Sequence, residues 1–552
     1  MNMKIKNQWA FAFLLSAAVF FPGKTVAQDN AENAGADEVI TDVAKVTAET
    51  QYGKVAGYIQ KGIYIYKGIP YAKAERFMAP VAPDAWTGVK STRNYGAVAP
   101  HGVRTGWAQD EGAFYFNWDD GWADEAKCLN LNVWTPGLND GHKRPVIVWF
   151  HGGGYAEGSS HEQAGYEGTN ISKKGDVVFV SVNHRLNVLG FLDLSAYGDE
   201  YKSSGNAGLL DMVEALKWVH NNIANFGGDP SNVTIMGQSG GGGKVYTLCS
   251  TPAAKGLIAK AVVESGSGPK VMERKYSQLL AAETLKNLGL QPSDVAKLKT
   301  LPYEQLLEAG NKAIATLHQQ CAKEGFWAFL IGWSPVVDGN ILPHQPMSAE
   351  TADLNRNIPF VIGTVGNEIT GAFNGAFAKD DLTATEYLKK VYGAKADAFI
   401  AAGKKAYPQL AVKDLILVDN FFRPCAIEGI QARVAMGGAP VYNYLFTFNP
   451  KVMNDAFRCF HCSDIAFGFD NVARYSHNNG GSAAAVRLGS IMSNGVIAFA
   501  RTGNPNAAGI PQWKPCTAKD INTMIFDTNL RQVTNFDKEM MDILNATPKF
   551  SF

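Results

Sequence analysis

The chain carries no excess charge of either sign: 51 Lys and Arg balance 51 Asp and Glu over 552 residues. It has no basic tract, so nothing offers the dense positive surface that a nucleic acid or an anionic membrane would require. Internal repeats and heptad runs are also absent, which excludes solenoid and coiled-coil architectures. Cysteine is scarce and odd in number: Cys128, Cys249, Cys321, Cys425, Cys459, Cys462 and Cys516 cannot all pair, so at least one thiol is left over. Charged residues make up only 18% while apolar ones reach 46%, a composition that excludes wholesale disorder and provides for a large packed core. Length alone would admit several average domains, but large α/β enzymes commonly run as one.

The first 27 residues stand apart. Lys4 and Lys6 precede an apolar stretch from Trp9 to Phe21, and Thr25-Val26-Ala27 places small residues at a cleavage position. Residues 1–27 therefore read as a secretory signal peptide, too short and wrongly flanked for a membrane anchor. No cysteine sits at the cut, so no lipid anchor is expected. The acidic, Ala-rich run 28–45 reads as a loose lead-in, followed by one folded domain over 46–552. Losing the leader removes Lys4, Lys6 and Lys24, leaving 48 basic against 51 acidic side chains. Export points to a bacterial periplasm or the medium, where disulfides are permitted. Cys459 and Cys462 bracket His461 in a C-x-x-C spacing. No second ligand pair of matching spacing lies nearby, which favours a structural role steering that loop over a metal or redox site.

The most informative stretch is Val233-Thr234-Ile235-Met236-Gly237-Gln238-Ser239-Gly240-Gly241. It reads as a G-x-S-x-G nucleophile elbow, a strand that ends in a strained turn and lifts a serine hydroxyl clear at the start of a helix. Upstream, the apolar run Val146 to Phe150 reads as a buried strand leading into His151-Gly152-Gly153-Gly154. Consecutive glycines let a backbone approach a ligand closely. The amides of Gly153, Gly154 and Gly240 are thus candidates for an oxyanion hole, whose donors are each worth about 3 kcal/mol of barrier. A serine nucleophile needs a base, and the base an orienting acid, in the chain order Ser, Asp or Glu, His. Strand-like Pro359 to Thr364 leads into a loop bearing Glu368, and strand-like Val441 to Phe446 precedes a loop bearing His461. Both are in order, but spacing alone does not single them out.

A family resemblance does. The chain resembles the type-B carboxylesterases, α/β-hydrolases that include the cholinesterases and many bacterial esterases, from about Gly53 to the C-terminus. The blocks that carry it are Gly68-Ile69-Pro70-Tyr71-Ala72, Cys128 to Pro136, the His151 glycine cluster, Asn183 to Leu192, Gly205 to Asp211, Asn222 to Pro230, Pro335 to Gly339 and Arg501 to Asn506. The family's acid loop matches Gly363 to Glu368 and its histidine segment matches His461 to Phe469. The resemblance implies a triad of Ser239, Glu368 and His461. It also implies an α/β-hydrolase fold: a central, mostly parallel sheet flanked by helices, with helical and loop insertions over the active site. The segment Tyr276 to Gln345 reads as one such insertion. The clearest helix runs from Ala207 to Phe226, with Leu209, Val213, Leu216 and Ile223 on one face and Asn206 available as N-cap.

Several positions depart from the family pattern. The elbow's usual Glu and Ala are Gln238 and Gly240, and Ala126-Lys127 replaces the acidic pair from which Arg76 would draw its partner. Ala99 stands where a disulfide partner of Cys128 is common. Tannase-like enzymes tie the histidine loop to a cysteine preceding the nucleophile, a place held here by Gln238. The resemblance implies hydrolysis of a small-molecule ester through an acyl-enzyme, with no metal and no organic cofactor. For the substrate pocket, Trp118, Phe116, Trp122 and Trp327 are candidates, with Phe114, Tyr115, Trp107, Phe326, Phe329 and Trp333 beside them. Small to medium hydrophobic or aromatic esters would suit such a lining, against the alternative that these rings are ordinary core. An amidase or peptidase would use the same triad, and a non-catalytic binding protein is a third class. His461 would act as base near the ordinary histidine pKa of about 6.5.

Overall fold

A computed structural model describes residues 37–102, 110–369, 379–455 and 457–546. The leader assigned to 1–27, part of the lead-in and Trp107 lie outside the described residues. The lead-in joins the fold sooner than its composition implies: Ile40 exchanges backbone hydrogen bonds with Ile59 at 2.8 and 2.9 Å, and Asp42 caps the short helix Val43–Val46.

The core is one mixed sheet of eleven strands. In chain order these are β1 (Tyr58–Gln60), β2 (Ile63–Pro70), β3 (Asn130–Thr135), β4 (Arg144–Phe150), β5 (Val178–Val182), β6 (Gly228–Gln238), β7 (Lys260–Glu264), β8 (Phe360–Val365), β9 (Val441–Phe446), β10 (Asn522–Phe526) and β11 (Arg531–Thr534). Across the sheet they run β1-β2-β3-β5-β4-β6-β7-β8-β9-β10-β11. All neighbours from β5 to β10 are parallel, and antiparallel strands close both edges. Helices cover both faces, as parallel strands require, so β4 is buried along its whole length. The same covering explains β9. Its sequence alternates like a one-faced strand, yet all six residues are buried. The polar Asn443 is satisfied there by Arg423 at 2.9 Å and Thr523 at 2.8 Å, while its own amide donates to Ile362 O at 2.6 Å.

Helix α1 (Ala207–Asn222) continues as a 3-10 turn to Phe226. Asn206 does not cap it. Its side chain instead binds Val336 N and O and Asp338 Oδ2 at 2.9–3.0 Å, pinning the Pro335 to Gly339 segment. Helix α2 (Gly240–Cys249) follows β6 directly. Helices α3 (Arg274–Asn287) and α4 (Tyr303–Cys321) form the expected insertion, burying Leu280, Leu306 and Leu317 with Val188, Leu189 and Phe191.

Two ion pairs organise the neighbouring loops. Arg76 Nε donates to both carboxylate oxygens of Glu125, at 2.8 and 3.0 Å, so an acid one residue upstream of the substituted pair supplies the partner. Arg185 grips Asp211 of α1 at 2.6 and 2.8 Å, and both are buried. Breaking a buried pair leaves an uncompensated charge. Asp211→Ala should therefore cost about 3–5 kcal/mol, while Glu214→Ala, whose partner Lys217 is exposed, should cost less than about 1 kcal/mol. Parallel urea melts measure both; equal midpoints would refute the difference.

Candidate active site

The parallel strands deliver the proposed residues to one end of the sheet. Ser239 stands between β6 and α2 with φ 59° and ψ −123°, a conformation that side chains other than glycine rarely adopt. Its neighbours show why they are glycines. A Cβ on Gly237 would stand 2.4 Å from Gly241 O, and one on Gly241 would stand 2.1 Å from Phe150 O. The elbow is further held by Ser239 N donating to Glu264 O at 2.8 Å.

Beyond β4, the glycine cluster packs against this elbow. A Cβ on Gly240 would lie 2.2 Å from Gly154 O and 2.4 Å from its Cα. Gly153 and Gly154 have φ of 75° and 65°, the left-handed region that favours glycine. Each candidate oxyanion amide belongs to a peptide whose carbonyl is already engaged on the other side. Gly152 O, across from the Gly153 N–H, accepts from His151 Nδ1 at 3.0 Å. Gly153 O, across from the Gly154 N–H, accepts from Ala156 N at 3.2 Å and Glu157 N at 3.1 Å. Ser239 O, across from the Gly240 N–H, accepts from Gly243 N at 3.1 Å. Since a trans peptide points its N–H and C=O in opposite directions, these bonds fix where the three amides aim.

Glu368, in the loop after β8, is fully buried and hydrogen-bonds His461 Nδ1 through Oε2, while its Oε1 accepts from Val365 N at 3.0 Å. The two loops are also joined by His461 N donating to Glu368 O at 3.1 Å. Gln238, directly before Ser239, brings its Nε2 to 3.2 Å from His461 Nε2. Its Oε1 accepts from Cys462 Sγ at 3.2 Å. The tie between elbow and histidine loop, covalent in tannase-like enzymes, is thus present here as a hydrogen bond. Cys459 Sγ donates instead to Asn367 Oδ1 at 3.0 Å, so the two thiols flanking His461 serve different neighbours. All seven cysteines are buried. Among the described residues no group of three His, Cys, Asp or Glu is arranged to hold a metal ion.

Burial sets the electrostatics. Desolvation pushes His461 down to about 4, against the opposing pull of Asp464 and Asp419. It pushes Glu368 up, opposed by hydrogen bonds to its carboxylate such as that from Val365 N. Burial thus works against charge on either partner alone, and each ion stabilises the other once His461 takes a proton. The Phe422 ring stacks on His461 with centroids 4.6 Å apart. Asp419 fixes that ring by accepting from Phe421 N and Phe422 N at 3.0 and 3.2 Å at the start of helix α5 (Phe422–Met436).

The aromatic candidates scatter. Phe116 and Tyr115 are fully buried, Phe116 stacking on half-buried Trp118 at 4.6 Å and meeting Phe460 edge-on at 5.7 Å. Phe116 is therefore core beneath the histidine loop rather than pocket lining. Trp122 and Phe114 are 51% and 57% exposed, which removes them from an enclosed pocket. Trp327 packs against the α3–α4 cluster, and the side chain of Phe326 lies outside the described ones. Phe422, the ring stacked on His461, clusters with Phe421 and Phe329, with Phe329–Phe421 centroids at 5.6 Å and Phe421–Phe422 at 4.8 Å. Of these only Phe329 stood out in the sequence. Phe421 and Phe422 precede His461 by some 40 residues, and no motif marks them.

The chain is similar to known proteins along most of its length. The carboxylesterase family matches residues 44–543. The chain is similar to a para-nitrobenzyl esterase of Bacillus subtilis (strain 168), with 32% identity over 87% of this chain and 94% of that one. It is similar to a phenmedipham hydrolase of Pseudarthrobacter oxydans, with 32% identity over 88% and 95% of the two chains. Among solved structures, an esterase from the anaerobe Clostridium hathewayi, described as able to hydrolyse aliphatic aromatic polyesters, superposes with a TM-score of 0.79. It shares 37% identity, covering 92% of this chain and 99% of that one.

The contact between Gly240 and Gly154 makes a specific demand. Alanine, the residue common at this elbow position, cannot enter here unless the glycine cluster moves. Gly240→Ala should fold normally and lose about 10–100-fold in kcat, short of the loss on deleting an oxyanion donor outright. Steady-state kinetics with a thermal melt decide it; an unchanged kcat would mean the cluster yields freely.

Proposed function

This chain belongs to the carboxylesterase family and is a carboxylic ester hydrolase, and we propose that it works as a serine esterase through Ser239, His461 and Glu368. Ser239 Oγ attacks the ester carbonyl while His461 takes its proton. Glu368, on Nδ1, holds the ring so that Nε2 faces the reaction and stabilises the imidazolium as it forms. The carbonyl oxygen becomes an anion held by the amides of Gly153, Gly154 and Gly240. His461 then protonates the leaving alcohol, and water repeats the sequence on the acyl-enzyme. The observation that carries this reading is the strained serine, whose adjoining Gln238 contacts the same imidazole that Glu368 orients.

The substrates we propose are small to medium hydrophobic or aromatic esters. The cluster of Phe329, Phe421 and Phe422, whose Phe422 ring stacks on His461, supports that choice, as do relatives named for a para-nitrobenzyl ester or described as acting on aliphatic aromatic polyesters. The amidase and binding-protein readings are not favoured, since the family is that of the carboxylesterases and relatives such as the para-nitrobenzyl esterase are esterases. Cleavage of the leader at 1–27 and export to the periplasm or medium complete the proposal, supported by the charge and apolar pattern of that segment.

Initial rates on p-nitrophenyl esters of increasing acyl length test the nucleophile: Ser239→Ala should fall to about 10⁻⁴ or less of wild type, and retained turnover would exclude Ser239. The pH profile tests the base. Because His461 must be neutral to accept a proton and burial lowers its pKa, the acid limb of kcat/KM should fall below the ordinary histidine value of about 6.5. A limb at or above that value would mean that the Glu368 charge outweighs burial.

A further inference from the structure

Lys244 follows the nucleophile by five residues, sits one turn into α2, and exposes none of its surface. A buried ammonium is costly unless its protons find partners, so its contacts are informative. Nζ donates to His151 O at 2.8 Å and lies 3.5 Å from Gly152 O. The Tyr155 ring centroid is 5.7 Å away. Desolvation brings the pKa down to about 7, against the pull of Glu162.

The geometry follows from the helix. Helical side chains lean toward the N-terminus, and residues three apart share a face. The stem of Lys244 therefore runs back over Gly241, where the missing side chain leaves room for the carbonyls of Phe150 and His151. Its ammonium arrives at the start of the glycine cluster. There the carbonyl of Gly152 and the N–H of Gly153 belong to one planar peptide and point oppositely. Backbone amides hold the carbonyl of Gly153, whereas the donors facing Gly152 O are the side chains of His151 and Lys244.

We propose that Lys244 is a positioning residue for the oxyanion hole, drawing the His151 and Gly152 carbonyls toward α2 and so turning the Gly153 N–H toward the oxygen of the tetrahedral intermediate. The inference rests on the reading of Gly153, Gly154 and Gly240 as that hole. It assigns the lysine a role in the transition state rather than in substrate binding.

The test compares wild type, Ser239→Ala, Lys244→Met and Lys244→Gln on p-nitrophenyl butyrate, with thermal melts and the affinity for butylboronic acid, which adds to a serine as a tetrahedral anion. Lys244→Met is expected to melt cooperatively and lose at least about tenfold in kcat with KM within about threefold, and to lose boronate affinity in parallel. Lys244→Gln, one bond shorter and uncharged, is expected to show a smaller loss of the same kind, and carries the test alone if the Met variant does not fold. Wild-type kcat and boronate affinity in the folded variant, or a raised KM at unchanged kcat, would overturn the proposal. If Ser239→Ala is inactive while the Lys244 variants match wild type, only this inference falls. If Ser239→Ala is active, the reading of the site falls with it.

Discussion

The site depends on three stretches of backbone meeting with no side chains between them: the end of β4, the turn after β6, and the first turn of α2. Gly237, Gly240 and Gly241 each stand where a single added carbon would come within 2.4 Å of a backbone atom of Phe150, Gly154 or Gly241. Such closeness allows a serine with φ 59° to persist, because the surrounding backbone leaves the turn no relaxed alternative. It also sets the Gly240 amide beside the Gly153–Gly154 loop, so Ser239 and the proposed oxyanion donors are fixed by one contact.

A ladder of backbone hydrogen bonds extends that rigidity across the sheet. Beyond the strands proper, Ser239 N reaches Glu264 O, Ser265 N reaches Gly363 O, Gly366 N reaches Phe446 O, and Asn367 N reaches Cys459 O, at 2.7–3.3 Å. The loops bearing Ser239, Glu368 and His461 are thereby registered to one another before any side chain is considered. Cys459, Cys462 and Gln238 add side-chain ties along the same line. A site registered in this way needs little reorganisation during reaction, which is how preorganised dipoles lower a barrier.

Dryness is the other side of this design. Glu368, His461, Asp464, Glu264 and Lys244 are all buried within or under the site, and desolvation is the largest influence on each. Burial holds these groups toward their neutral forms, and where one does carry charge no bulk water screens it, so its effect on a neighbouring developing charge is larger than at the surface. Stability is lost in return, since buried charges are seldom better than apolar packing. The Arg185–Asp211 pair and the covered eleven-stranded sheet supply the rigid frame that tolerates it.

The elbow, the glycine cluster, the run of strands and the main helix were legible in the chain, because each depends on close neighbours: glycine where the backbone must turn, β-rich runs where it must be covered. Glu368 and His461 became legible only through family resemblance, since an acid and a base contributed by separate loops leave no spacing rule. The rest came from packing between distant parts of the chain. It buried Phe116 and exposed Trp122, moved the aromatic contact with His461 to Phe422, gave Arg76 its partner in Glu125, and turned Asn206 from a cap into a brace for the Val336 segment. It also carried Lys244 back to the His151 carbonyl. These outcomes rest on which surfaces meet when helices and sheet pack, a relation between residues far apart in the chain that local pattern does not encode.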